Sequence, residues 1–496
     1  MPTVIKFGTD GWRAIIAEDF TFANVRALAA SIARYLKQTR HAQSGRPLAE
    51  HGLVIGYDTR YASDRFAEAV AEVVSAAGIR VALTATFAPT PAVSHAIVGR
   101  GAGGAVVITS SHNPASWNGV KYKPEYAGSA SPEVVAQLEA PLDEMLAAGE
   151  PPRLPLHDAR AKGLLETFDA RGPYLEGLAK QVDVEAICAA GLRIAVDSMY
   201  GAGQGYLAEL LAGGTSAVEE LHAEYNPLFP GLHAPEPIMR NLGPFADLMK
   251  EGIFVTDADP RTTAFDVGIA TDGDADRLGV MDENGDFVDQ LKTFALLAYY
   301  MLEVKGLRGP IVRSITTTRM VDRMGERYGV PVYETAVGFK FLGPKMMETD
   351  AILAGEESGG YAFQGHIPER DGILAGLCFL DLVARTGKTP TELLELTAER
   401  FGPHHYSRID VELEPDAKPR IIAAVQQADP KQVAGYKVTS TSTLDGYLFN
   451  LEGGGWLLIR FSGTEPLMRI YTEVPDPARV QDVLEAGRKL AGAVPA

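Results

Sequence analysis

Only two cysteines, Cys188 and Cys378, occur in 496 residues. They lie far apart, in mostly apolar surroundings and in no metal-type spacing. That excludes a disulfide framework and a thiolate cluster, and predicts two buried thiols in a reducing compartment. Basic residues are also in deficit: 46 Lys and Arg stand against 64 Asp and Glu, for a net charge of −18. Such a balance repels nucleic acid and anionic membrane, so an anionic ligand has to be drawn by a local basic pocket. Long apolar runs are lacking. The most apolar helical stretch, "FALLAYYMLEV", is about half the length a bilayer span requires. The N-terminal "MPTVIKFGTDGW" has no apolar core and no cleavage-like site, so it does not read as a secretion signal. The expectation is a cytoplasmic protein with no nucleic-acid and no membrane partner.

A chain of 496 residues is too long for one core and predicts three or four domains. Three segments share one grammar: "HGLVIGYDTRYASDRFAEAVAEVVSAAG", "GLRIAVDSMYGAGQGYLAELLAG" and "GPIVRSITTTRMVDRMGERYG". Each opens with Gly and runs through a short apolar strand and a polar turn into a helix with apolar spacing near 3.6. A buried strand followed by an amphipathic helix is the unit of a parallel α/β sheet. The remainder, from Pro403 onward, alternates strands such as "GWLLIRFS" and "LMRIYTEV" with helices, as a smaller α+β domain does. Pro- and Gly-bearing stretches place the expected boundaries at 1–156, 157–289, 290–402 and 403–496.

The strongest chemical signal is "FDVGIATDGDADRLGV", in which Asp272, Asp274 and Asp276 stand at every second position. Read as an extended loop, it turns alternate side chains the same way, so three carboxylates converge on one point. Their mutual repulsion implies a cation, and all-oxygen ligation favours Mg²⁺ or Ca²⁺ over zinc. An EF-hand loop is excluded, because Arg277 stands where the sharp-turn Gly belongs and the flanks read as strands. A guanidinium directly after three ligands suits an anion beside the metal.

"RFSGTEPLMRIY" carries Arg460, Ser462, Gly463, Thr464 and Arg469 after an apolar strand. Hydroxyls and Gly in a tight turn leave backbone N–H groups free for a phosphate, and the arginines add charge-assisted contacts. "LAGEESGGYAF" sets Glu356, Glu357 and Ser358 among glycines, where carboxylates can accept from vicinal sugar hydroxyls. "ETAVGFKFLG" offers Lys340, and "HIPERDGI" offers Arg370; each alone reads equally well as a surface cation.

In "VVITSSHNPASWNGVKY" an apolar run stops abruptly at Ser110, Ser111 and His112, and Asn-Pro then forces a turn. Alone this is a turn former. Beside a divalent metal, a phosphorylated serine is a phosphoryl donor whose leaving oxygen is stabilised. Lys121 would serve as general acid/base if other cations and the metal lower its pKa.

Five stretches in this order, "FGTDGWR", "TSSHNP" with "NGVKY", "DGDADR", "GEESGG" and "RFSGTEPLMR", make the sequence similar to the α-D-phosphohexomutase family over essentially its full length. The resemblance implies three similar α/β domains with mixed sheets and a smaller C-terminal α+β domain around a central cleft. It makes Ser111, and not Ser110, the phosphoserine. Asp272, Asp274 and Asp276 become Mg²⁺ ligands, with the Ser111 phosphate completing the shell. Arg13, Lys121 and Arg277 would line the reacting phosphate. Glu356 and Ser358 would read sugar hydroxyls, with Val337 and Gly338 at the sugar and Lys340 and Arg370 as further cations at the substrate. Arg460, Ser462, Gly463, Thr464 and Arg469 would grip the phosphate that does not react.

The implied reaction is two phosphoryl transfers through a sugar 1,6-bisphosphate, which also serves as activator. The double-Glu sugar loop, with Gly360, is similar to the phosphoglucomutase branch and favours glucose phosphates over mannose or glucosamine phosphates. Arg370 stands where that branch tends to place Lys. A metal-dependent sugar phosphatase and a non-catalytic phosphosugar binder are the rival classes; the second is expected to lack Ser111 or one of the aspartates. Sugar phosphates are the expected partners, with the chain a monomer or weak homodimer.

Overall fold

The computed structural model describes residues 5–251, 264–414, 417–461 and 467–492. The first sheet takes β1 (Trp12–Ile15), β2 (Leu53–Tyr57), β3 (Val81–Thr84), β4 (Gly104–Ile108), β5 (Trp117–Pro124) and β6 (Leu165–Phe168) in the order β1-β5-β4-β2-β3-β6. Strands β4, β2, β3 and β6 run parallel, while β5 lies antiparallel to β4 and β1. All five residues of β4 are buried, as expected of a strand covered by helices on both faces. Strand β6 lies beyond the boundary expected at residue 156, yet it pairs with β3 at the edge of this first sheet. The first α/β unit therefore reaches further along the chain than its Pro-rich stretch suggested.

The second sheet holds β7 (Arg193–Asp197), β8 (Ala217–Leu221), β9 (Val267–Thr271), β10 (Leu278–Met281) and β11 (Phe287–Val288) in the order β11-β10-β9-β7-β8. Its segment 191–213 departs from the other two. The helix is only Tyr206–Leu210, because Met199 and Tyr200 are both left-handed (φ 46° and 56°) and extend the turn before it. The third sheet holds β12 (Ile311–Ser314), β13 (Val332–Thr335), β14 (Leu353–Gly355) and β15 (Tyr361–Phe363) in the order β13-β12-β14-β15. Helices here start on side-chain caps: Asp289 accepts from the amides of Leu291 and Lys292, and Thr389 with Glu392 forms a capping box.

The C-terminal unit is one antiparallel sheet of β16 (His405–Glu412), β17 (Gln432–Val433), β18 (Tyr436–Ser442), β19 (Tyr447–Leu451), β20 (Trp456–Phe461) and β21 (Leu467–Val474), ordered β16-β21-β20-β19-β18-β17. Helices Lys418–Gln427 and Val480–Leu490 accompany it, an α+β arrangement. One apolar cluster runs from Val54 and Ile97 in the first unit through Ile194 and Leu278 in the second to Phe294 and Leu374 in the third. The C-terminal unit has its own core around Leu457, Ile470 and Leu484. It meets the third unit through a small cluster of Leu291, Ile315, Leu448, Trp456, Leu458 and Tyr471.

Cys378 is buried, but Cys188 is only half-buried, because it sits in the short helix Val184–Ala189 at the edge of the second unit. Among the described residues no helix is long and apolar enough to cross a membrane. The segments that carry chemistry follow the carboxyl ends of β2, β4, β9 and β14, where parallel α/β sheets place their ligands.

Candidate active site

The aspartates converge, though not by the geometry their spacing suggested. Residues 272–277 form a tight turn between β9 and β10 and not an extended strand. Ala275 is left-handed (φ 56°), and its amide donates to Asp272 O at 2.9 Å. Asp272 Oδ1 accepts from the amides of Asp276 (2.9 Å) and Arg277 (3.1 Å). The turn thus folds the loop onto its own first carboxylate and brings one oxygen of each aspartate within 4.8 Å of the others. All three side chains are buried.

Ser111 joins them from the first unit. Its Oγ donates to Asp272 Oδ2 at 2.7 Å, across 161 residues of chain. Its backbone is left-handed (φ 51°), and its amide donates to Thr109 Oγ1 at 2.8 Å. Thr90 adds a second tie between the units: its amide donates to Asp274 O at 2.9 Å and its hydroxyl to Asp274 Oδ2.

Lys121 lies on β5 with its ammonium 2.8 Å from Asp274 Oδ2, 2.7 Å from Asp276 Oδ2 and 2.9 Å from Asp10 Oδ2. Its pKa moves in the direction opposite to the lowering expected beside a metal. Burial pushes the ammonium down, but the three carboxylates outweigh it and hold the group above its ordinary value. Asp10 shows the mirror image: burial raises its carboxyl, yet Lys121, Lys123 and Arg370 hold it well below the usual range. Asp274 also lies below that range, since Lys121, Thr90 and Arg370 overcome its burial. Asp272 moves the other way, raised by burial and by the charges of Asp276 and Asp274.

Arg277 donates to Glu236 Oε1 at 3.1 Å, with its Nε 3.9 Å from both Asp272 and Asp276. Arg13 donates to Asn113 Oδ1 at 3.2 Å; burial and the neighbouring Arg277 lower its pKa. His112 is driven well below its ordinary value by burial and then by Arg277, Arg13, Arg60 and Lys121, and its Nδ1 lies 3.4 Å from Ser111 Oγ.

The glycine-rich loop after β14 packs against the aspartate turn, with the Leu278 amide donating to Gly359 O at 2.9 Å. Glu356 Oε1 accepts from Ser358 Oγ (2.7 Å) and Arg370 Nη1 (3.2 Å). Arg370 Nη2 reaches Asp10 (2.5 Å) and Asp276 (2.9 Å), so this guanidinium joins the sugar-type loop to the acidic turn. Its stem fills the space beside Gly360, where a Cβ would lie 2.2 Å from Arg370 Cδ. Glu357 turns away from this group and accepts from Tyr406 Oη and Arg408 Nη1 of β16, both at 2.8 Å.

Val337 and Gly338 lie between β13 and the helix Phe339–Thr349. Asp445 of the C-terminal unit accepts from the Val337 amide (2.9 Å) and from Arg460 Nε (3.0 Å). Lys340 Nζ stands over the Phe341 ring at 5.4 Å. Arg460 and Arg469 are direct cross-strand partners on β20 and β21. Like charges so placed repel, and each already faces a carboxylate: Arg460 Nε lies 3.0 Å from Asp445 and Arg469 Nε 3.7 Å from Asp410. Ser462, Gly463 and Thr464 lie outside the described residues.

The donor set fits a hard divalent ion. Asp274 Oδ1 and Asp276 Oδ1 are buried with no hydrogen-bond partner, while their Oδ2 atoms hold Lys121. Orphaned buried carboxylate oxygens are costly unless a cation meets them. Sequence reasoning missed Asp10, Lys123, Glu369, Thr90, Asn113 and Glu236. Four carried a signal: Asp10, Asn113 and Glu369 sit inside "FGTDGWR", "TSSHNP" and "HIPERDGI", and Lys123 follows Lys121 at the strand period of two.

Models of phosphoglucomutase/phosphomannomutase α/β/α domains I, II and III match residues 4–147, 172–285 and 289–401. The C-terminal domain of the same set matches residues 409–490. The chain belongs to the phosphoglucomutase/phosphomannomutase family. It is similar to a phosphoglucomutase/phosphomannomutase of Thermococcus kodakarensis, 32% identical over 98% of each chain. A phosphoglucosamine mutase of Desulforamulus reducens is 28% identical over 98% of this chain and 99% of its own. Among solved structures, a Thermus thermophilus protein provisionally named a phosphomannomutase superposes with TM-score 0.82 at 34% identity, covering 99% of this chain and 100% of that one. This phosphohexomutase is thus an isomerase of the phosphotransferase kind, and its relatives' names divide among the sugars.

Proposed function

We propose that this phosphohexomutase interconverts glucose 1-phosphate and glucose 6-phosphate, with Ser111 carrying the transferring phosphoryl group. The observation that carries the reading is the 2.7 Å bond from Ser111 Oγ to Asp272, made across two domains inside the aspartate cluster. Asp272, Asp274 and Asp276 would hold one Mg²⁺. Bound there, the ion supplies positive charge to the transferring phosphoryl oxygens.

The chain's own residues do the rest. In the first transfer the bond from Ser111 Oγ to phosphorus breaks as the bond from the sugar hydroxyl oxygen forms. Lys121 gives a proton to the departing Ser111 Oγ, and the proton given up by the sugar hydroxyl replaces it, so protons balance within the site. Lys121 is held protonated by three carboxylates, which suits it to donating a proton and to carrying charge beside the phosphoryl group, not to acting as a base in this state. Arg13 and Arg277 bring further positive charge. Glu356 and Ser358 read the sugar hydroxyls, with Val337, Gly338, Lys340 and Arg370 around them. Arg460, Ser462, Gly463, Thr464 and Arg469 hold the phosphate that stays. The bisphosphate then reorients and returns its other phosphate to Ser111, which makes trace glucose 1,6-bisphosphate an activator.

The choice of sugar rests on Glu356. Its Oε1 already meets a permanent cation in Arg370, so less negative charge remains for a protonated amino sugar than for neutral hydroxyls. Measuring turnover with the 1-phosphates of glucose, mannose and glucosamine tests this, and a glucosamine preference rejects it. Ser111→Ala is expected to lower mutase turnover at least about 1,000-fold while sugar phosphate binding stays measurable by calorimetry. Near wild-type turnover in that variant would mean that another group carries the phosphoryl.

A further inference from the structure

We infer that Arg60 is the positioning residue that sets where Ser111 presents its hydroxyl, an inference that rests on Ser111 as phosphoryl carrier. Arg60 follows β2 and is 1% exposed. Its guanidinium takes four backbone carbonyls of the one loop that bears Ser111. Nη1 donates to Pro114 O at 2.9 Å and to Trp117 O at 3.1 Å. Nη2 donates to Ser111 O and Asn113 O, both at 2.6 Å.

The fork is itself anchored. Its Nε lies 3.2 Å from Asp58 Oδ2, with both side chains fully buried. Asp58 Oδ1 accepts from the Arg60 amide (3.0 Å) and from Ser63 Oγ (2.9 Å). Ser63 Oγ in turn accepts from Asn118 Nδ2 of β5 at 2.9 Å. The Phe229 ring of the second unit closes over the guanidinium at 5.1 Å.

Two further features show what this clamp holds. Ser111 adopts φ 51°, a left-handed conformation that costs a non-Gly residue energy and persists only where its surroundings impose it. Its carbonyl is gripped by Arg60 on one side and meets the aspartate turn on the other: a Cβ at Gly273 would lie 2.4 Å from Ser111 O. The peptide that carries the nucleophile is thereby fixed against the loop that carries the metal ligands. Every hydrogen bond Arg60 makes with this loop goes to backbone, so it acts through Ser111 and not on the substrate. Lysine cannot replace it, since one ammonium with three donors does not span four carbonyls that a planar five-donor fork reaches.

The test pairs Arg60→Lys with the double variant Arg60→Met/Asp58→Asn, which removes the buried ion pair without leaving a lone charge. Both are expected to lose about 100-fold in kcat, the scale of a misplacement near 1 Å, with KM within about threefold. The sugar-reading candidates sit on other domains, which is why KM should hold. Single-turnover phosphorylation of Ser111 by glucose 1,6-bisphosphate, followed by intact mass, should slow in parallel at temperatures well below each variant's Tm. Wild-type kcat in Arg60→Lys, or its return in the double variant, would show that charge balance suffices and overturn the inference. If neither variant folds, Asp58→Asn frees Nε while keeping the fork, and about a fivefold kcat loss at constant KM is expected; wild-type kcat there overturns it equally. Ser111→Ala run alongside separates the two readings. An active Ser111→Ala rejects the carrier, whereas an inactive one beside fully active Arg60 variants rejects only the positioning role.

Discussion

The junction of the first three units and the junction between the third and the fourth are built differently. Around the aspartate turn, Asp10, Lys121, Lys123, Glu369 and Arg370 are all buried and interlocked, on top of an apolar cluster that runs through three units. At the fourth unit most polar ties are nearer to water: Glu357 to Tyr406 and Arg408, Asp445 to Val337, Arg319 to Asn450 and Arg323 to Gly453, beside one bond from the Arg319 amide to the buried Glu473 and a small apolar cluster. The side chains of Glu357 and Arg408 are 19% and 35% exposed. A dry, densely interlinked charge network fixes geometry, while exposed polar ties come apart at small cost. The first region suits bond making, where ångström placement counts. The second suits the grip proposed above, which would release an intermediate and take it again from the other end.

The largest expected effect lies in the first region. Lys121→Met leaves Asp10, Asp274 and Asp276 without their shared cation, and breaking a buried ion pair costs roughly 3–5 kcal/mol. Urea unfolding without divalent ions is expected to show that loss, with part of it restored by Mg²⁺. A variant as stable as the wild type would mean that the network is not interlocked. In the second region Arg460→Ala removes the guanidinium proposed to hold the phosphate that stays, a charged contact worth about 1.5–3 kcal/mol. KM should then rise about 10- to 100-fold while kcat changes far less; a loss mainly in kcat would erase the contrast.

The smallest effect is the response to acid. Asp10 and Asp274 are held below their ordinary values, so their contribution is complete above the unfolded-chain value of about 3.9. It is lost as pH falls from there toward the folded values. Tm should therefore drop below about pH 4, and Asp10→Asn should flatten that drop. An unchanged profile in the variant would place the acid sensitivity elsewhere.

How much of this was legible depends on how far apart in sequence the partners lie. The three-plus-one architecture follows from strand and helix periods that are local, and the aspartate trio and the Ser111 loop stood out as local motifs, but the tight turn through left-handed Ala275 was read as an extended loop. The short helix Tyr206–Leu210 was not legible, because two left-handed residues at Met199 and Tyr200 decide it. The roles of Asp10, Lys123 and Glu369 were hidden because each charge is neutralised by residues far along the chain: Lys123 meets Glu369 across 246 residues, and Arg370 meets Asp10 across 360. Nothing local marks such a residue as buried. The upward shift at Lys121 was hidden for the same reason, since one of its three carboxylates comes from the N-terminal strand region. Glu357 was read with Glu356 as one acidic pair, yet adjacent residues on a turn face different neighbours.

Gly360 and Arg370 occupy one shared volume, with 2.2 Å between a would-be Cβ and the arginine stem. Any enlargement at the first position has to move or trim the arginine stem at the second, so the two sites are sterically linked. A lineage that changed its preferred sugar by enlarging the glycine would have to resettle the arginine too.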